Sequence, residues 1–96
     1  MATPATPPKP RPIRVKVNGN QVDPATVDLQ VEETVVYECN NGKLTIEFAL
    51  GRTPFDTTSV ISGSPYTVKH GGVFQGNCSL NGQPLTWGII HDVEPH

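Results

Sequence analysis

TVVYECNNGKLTIEFAL, residues 34–50, is the stretch that decides the fold class. Val35, Tyr37 and Cys39 recur at every second position, and so do Leu44, Ile46, Phe48 and Leu50, with Thr45 and Glu47 between them. A period of two places successive side chains on opposite faces, which is the signature of a half-buried strand. Asn40-Asn41-Gly42 lies between the two runs, and Asn and Gly tolerate the positive φ that a tight turn demands. The stretch therefore predicts a β-hairpin with one apolar and one polar face.

The same period extends outward. Ile13, Val15 and Val17 alternate with Arg14 and Lys16, and Asn18-Gly19 then offers a turn. Val27, Leu29 and Val31 alternate with Asp28 and Gln30. Residues 51–64, rich in Gly, Thr, Ser and Asp, read as a loop anchored by Phe55. Residues 66–70 read as a strand, Gly71-Gly72 as a turn, and Phe74, Gly76, Cys78 and Leu80 as one face of the next strand. After a turn at Asn81-Gly82, the last strand is expected over residues 84–91, with Leu85, Trp87 and Ile89 on one face. No window sustains a helical period. Short strands broken by Gly, Pro and Asn predict an all-β fold, a small Greek-key β-sandwich.

Residues 1–12, MATPATPPKPRP, differ in kind. Proline fixes φ and removes a backbone donor, so this segment is expected to be a tail or linker, leaving residues 13–96 as a single domain. The Pro7 to Pro10 spacing is of the type that proline-recognition modules bind, and such spacings are common in any Pro-rich tail. The segment has no apolar core of a secretory signal, and no apolar run in the chain is long enough to cross a bilayer.

A formal net charge of −2 argues against nucleic acid as a partner, since nucleic-acid binders carry a strong basic footprint. The charge is uneven. Lys9, Arg11, Arg14 and Lys16 make one end basic, and Asp23, Asp28, Glu32, Glu33 and Glu38 follow as an acidic block. No aromatic residue interleaves with the basic ones, so this reads as solvated surface charge.

Cys39 and Cys78 each share a strand face with large apolar residues. They are a candidate disulfide, which would place the chain in an oxidising compartment, periplasmic or secreted. Two separate buried thiols are the other reading.

VDLQVEETVVYECNNGKLTIEF and TVKHGGVFQGNCSLNGQPLTWGIIHDVEP, with Phe55 between them, resemble the cupredoxins, the small plastocyanin-like Greek-key sandwiches. The resemblance implies the family's scaffold and puts Cys78 where its ligand cysteine stands. A blue-copper site needs two imidazoles, a thiolate and a weak axial ligand. Ser79 to Pro84 supply neither His nor Met, the region after Cys39 has no His, and the sole Met is Met1. The resemblance thus implies the fold without the cofactor, since function belongs to the site. An immunoglobulin-like sandwich is the alternative, although Trp87 follows both cysteines and breaks that family's order.

His70, His91 and His96 are the only imidazoles. Cys78 with His70 or His91 is the candidate metal or electron-transfer set, and the plainer reading is surface histidines near strand ends. Glu38 and Glu47 fall on the solvent side of their strands, where a carboxyl keeps an ordinary pKa unsuited to acid catalysis. No serine stands in a nucleophile-elbow context. The aromatic residues lie in apolar patterns and are expected in the core; were Tyr66 and Trp87 exposed on one sheet, they would mark a carbohydrate- or protein-binding face. The sequence thus predicts a monomeric, non-catalytic β-sandwich module without a cofactor, used for protein contact or as an accessory domain. Metal binding and carbohydrate or ligand binding are the alternatives.

Overall fold

A computed structural model of the chain describes residues 10–94. The Pro7 to Pro10 spacing, save Pro10, and His96 lie outside the described residues. Ten strands form two sheets, and no helix occurs among the described residues. β1 (Arg11–Asn18), β2 (Gln21–Asp23), β4 (Thr34–Cys39) and β7 (Pro65–Thr67) make the first sheet, in the order β2-β1-β4-β7. β3 (Thr26–Gln30), β5 (Leu44–Glu47), β6 (Ser59–Ile61), β8 (Gly72–Leu80) and β10 (Ile89–Glu94) make the second, in the order β3-β10-β8-β5-β6. β9 (Gln83–Pro84) folds back on β8. The all-β, sandwich-like expectation is met.

The period of two does what it predicts. Ile13, Val15, Val35 and Tyr37 from the first sheet face Leu29, Leu44, Ile46, Ile89 and Val93 from the second, all buried. Phe48, Phe55 and Val68, just outside the strands, close the core. Phe55 packs edge-on to both Tyr37 and Phe48, with ring centroids 6.4 and 5.9 Å apart. Such aromatic pairs add about 0.5–1.5 kcal/mol beyond their buried area.

Pairing departs from the sequence reading in several places. Residues 34–50 are not a hairpin. β4 pairs with β1 and β7, whereas β5 pairs with β8 and β6, so residues 40–43 carry the chain from one sheet to the other. Alternation states which side of a strand is apolar, and both sheets of a sandwich turn that side to the same core. The crossing is pinned by two amides. Asn41 Oδ1 accepts from Val17 N–H, and Asn81 Oδ1 from Lys43 N–H, each at 2.9 Å. β5 stops at Glu47, and the turn closed by Arg52 N–H to Ala49 C=O leaves Leu50 92% exposed, outside the apolar face expected for it.

β1 opens at Arg11, two residues ahead of the alternation. Pro12 is accommodated because β2 flanks only Lys16 to Asn18, so Pro12 has β4 on one side and no strand on the other. Arg11 also joins the two sheets. Its guanidinium donates to both carboxylate oxygens of Glu33, at 2.8 and 3.0 Å, and to the Asp28 carbonyl at 2.8 Å. Arg14 approaches Glu38 at 3.5 Å, so part of the basic end is balanced by the acidic block that follows it.

Candidate functional site

Two places concentrate chemistry: a closed polar pair inside the sandwich and an open groove beside Trp87.

The closed pair is His91 with Tyr37. β10 alternates Ile89, His91 and Val93 inward, so period two carries an imidazole into the core at 0% exposure. The expectation of a surface histidine is thereby corrected: His91 lies within the strand, on its buried face. Its Nδ1 sits 3.1 Å from the Ile89 carbonyl, which only accepts, so Nδ1 carries the proton. Nε2 is then the acceptor for the Tyr37 hydroxyl at 2.7 Å. No buried side-chain polar atom among the described residues is left without a partner.

Burial sets the protonation of the region. It lowers the His91 pKa to about 4, partly offset by the Ile89 backbone, so the ring is neutral near pH 7. Burial, joined at high pH by the negative charge of the neighbouring Cys78 thiolate, pushes Tyr37 above the ordinary phenol range. It also pushes Cys78 up to about 11, so the sulfur is a thiol and a poor nucleophile. Gly76 leaves room for the arrangement, since a Cβ there would meet Ile46 Cγ2 at 2.5 Å and His91 Cε1 at 3.2 Å.

The sequence-derived candidates are scattered by this geometry. His70 is exposed between β7 and β8, while Cys78 and His91 are buried, and both nitrogens of His91 are already engaged. No group of three or more candidate metal ligands occurs among the described residues. Cys39, half-buried at the end of β4, and Cys78, buried in β8, are both free thiols, not the bridge considered above. Tyr66 is half-buried against Phe55, 5.7 Å between centroids, with its hydroxyl accepting from Ile61 N–H at 2.9 Å.

Trp87 behaves differently. It is 61% exposed, whereas alternation placed it inside with Leu85 and Ile89. Residues 85–88 are not strand. Leu85 N–H bonds to the Cys78 carbonyl at 2.9 Å, and Ile90 N–H to the Ala25 carbonyl at 2.9 Å, so both ends of this segment are tied down. Gly88 lies against the backbone of Gly76 so closely that a Cβ would collide with the Gly76 carbonyl. The segment thus seats its glycine on β8 and leaves the indole in solvent. Trp87 and Tyr66 do not share a sheet face.

Beside Trp87 runs a groove of about 750 Å³. Trp87, Gly88, Ile90 and Gln75 of the second sheet line one side, and Lys16, Asn18 and β2 of the first line the other. Ile90 is 41% exposed. Lys16, Asn18, Gln21 and Asp23 make no side-chain hydrogen bond or ion pair among the described residues. Sequence reasoning missed β2 and the groove with it, although its three residues follow the Gly19-Asn20 turn directly. The local signals were Gly19, at φ 64°, and the single apolar Val22 between two polar residues.

No family model, no curated protein and no solved structure matches this chain.

Proposed function

We propose that this chain is a non-catalytic binding module, a Greek-key sandwich of cupredoxin-like topology, whose contact surface is the Trp87 groove. The sandwich part of this reading is supported by two sheets, β2-β1-β4-β7 and β3-β10-β8-β5-β6, that share one apolar core. The non-catalytic reading is supported by where the perturbed groups lie: Tyr37, Cys78 and His91 are all in the closed interior, away from any substrate. Ligation of a metal by His91 would require it to give up Tyr37 or the Ile89 carbonyl.

The observation that carries the binding reading is the held exposure of the indole. A large aromatic side chain stabilises a fold when buried, by roughly 1.5–3 kcal/mol. Here it stands in solvent at the rim of a groove lined by uncommitted polar side chains. Exposed apolar surface rimmed by polar groups marks interaction sites. Groove size fits as well, since ligand pockets span about 300–1,000 Å³.

The test probes a displayed peptide library and an oligosaccharide array with the full chain and with its Trp87→Ala variant. Ligands held by the wild type and lost by the variant are expected. Ligands retained by the variant, or none from either collection, would overturn the reading.

A further inference from the structure

We infer that the Trp87 groove takes a neutral oligosaccharide, one pyranose ring lying on the indole and its hydroxyls meeting the amides and charged groups of the opposite wall. This rests on the binding reading above and names the ligand class of that same site.

Four observations select this class. First, the groove presents one exposed flat aromatic surface, Trp87, with Ile90 and Ala25 as the smaller exposed apolar side chains, on walls that together are far smaller than a protein contact. A protein partner needs roughly 800 Å² of complementary surface on each side, usually with an apolar centre. A sugar ring, with one apolar C–H face and a polar rim, matches an indole flanked by polar groups.

Second, the polar lining is rich in groups that both donate and accept. Asn18 and Gln21 contribute two amides on the wall opposite Trp87, and Gln75 a third beside the indole, with one weak bond of its own to the Gly76 carbonyl at 3.4 Å. An amide offers two donors and an acceptor, which suits hydroxyls that also play both roles. Third, the charges balance. Lys16 and Asp23 sit opposite each other in the β1–β2 register, one of each sign. An anionic ligand would meet Asp23, and a cationic one Lys16, so a neutral ligand fits best. A nucleic-acid strand would need a basic track, which one lysine does not make.

Fourth, strand addition by a peptide is disfavoured. The edge strand beside the groove, β2, is three residues long and ends at Asp23 before Pro24. Added strands draw their affinity from a ladder of main-chain hydrogen bonds, which so short an edge does not supply. The groove volume of about 750 Å³ leaves room for more than a single sugar ring.

Trp87 is the only tryptophan in the chain, so its emission reports the site directly. The experiment titrates the full chain with cellohexaose, xylohexaose, mannohexaose and chitohexaose, following emission and heat, with a heparin hexasaccharide as the anionic comparison. At least one neutral hexasaccharide should shift the emission to the blue and release heat, with little response to heparin hexasaccharide. Trp87→Ala should weaken the binding read by heat about tenfold or more, through loss of the aromatic platform. Asn18→Ala and Gln21→Ala should weaken it less, and Leu50→Ala, at an exposed site outside the groove, should leave it unchanged. Far-ultraviolet spectra of every variant check that the fold is kept.

Silence from all four neutral probes at millimolar concentration overturns the inference, as does tighter binding of the heparin fragment or full binding by Trp87→Ala. A Trp87-dependent peptide from the displayed library, with no sugar response, overturns the saccharide assignment alone and leaves the binding-module reading standing. Failure of both collections removes both.

Discussion

His91 shows how one side chain couples the interior to pH. Its ring is neutral because burial opposes a charge that only a hydroxyl and a carbonyl face. The folded-state pKa, about 4, lies below the ordinary value of 6.5. Between these values the unfolded chain binds a proton that the folded one refuses, so stability falls as pH falls. The contribution is fully present above pH 6.5, declines through the window, and changes no further below about pH 4. At about 1.4 kcal/mol per pH unit, its loss across the window is on the order of 3 kcal/mol. Urea unfolding at about pH 7 and about pH 5 should therefore show a drop, and His91→Gln, which keeps an acceptor for Tyr37, should flatten it. Equal drops in both proteins would refute the assignment. Tyr37→Phe isolates the other partner. It leaves Nε2 buried without a donor, which costs about 1–3 kcal/mol, read as a shift in the urea midpoint at neutral pH.

At the scale of elements, alternation made the inward faces of β1, β3, β4 and β5 legible, because burial of every second side chain is a local property. It could not show which strands pair, because residues 40–43 satisfy either a hairpin or a crossing between sheets. What distinguishes them lies far along the chain, in the acceptors that Asn41 and Asn81 offer to Val17 and Lys43. His91 was read as a surface residue although it falls in step with Ile89, because the hydroxyl that satisfies its Nε2, that of Tyr37, comes from across the sandwich. Trp87 was missed because period two was carried through four residues that are not strand. Asn81 offers the sharpest test of an element, since it does two jobs. Its backbone is left-handed, φ 52°, in the Asn81-Gly82 turn that joins β8 to β9, and its side chain holds the β4–β5 crossing. Asn81→Gly keeps the backbone and loses the hydrogen bond, at about 1 kcal/mol. Asn81→Ala loses the bond and adds left-handed strain of about 1–2 kcal/mol. Chemical denaturation should rank wild type above Asn81→Gly and Asn81→Gly above Asn81→Ala; equal losses would mean the backbone conformation carries no cost.

At the scale of the whole molecule, the two cysteines report how tightly the sandwich is shut. Cys39 is half-buried at a strand end, whereas Cys78 is 2% exposed on the inner face of β8. A thiol reacts through its thiolate, and burial pushes the Cys78 pKa up to about 11. Iodoacetamide applied to the native protein should therefore modify Cys39 first, and Cys78 only when the sheets separate. For a domain with ordinary stability the open fraction is about 10⁻³ or smaller, so Cys78 labelling should lag behind that of a denatured control by at least that factor. Low urea should then accelerate Cys78 and leave Cys39 almost unchanged, because only the former requires global opening. Intact mass after denaturation without reductant completes the test, with two labels expected. No label before reduction and two after it would show that the thiols pair in solution. Equal native rates would show that the sheets part locally at β8, the strand on which Gly88 and the Trp87 segment rest.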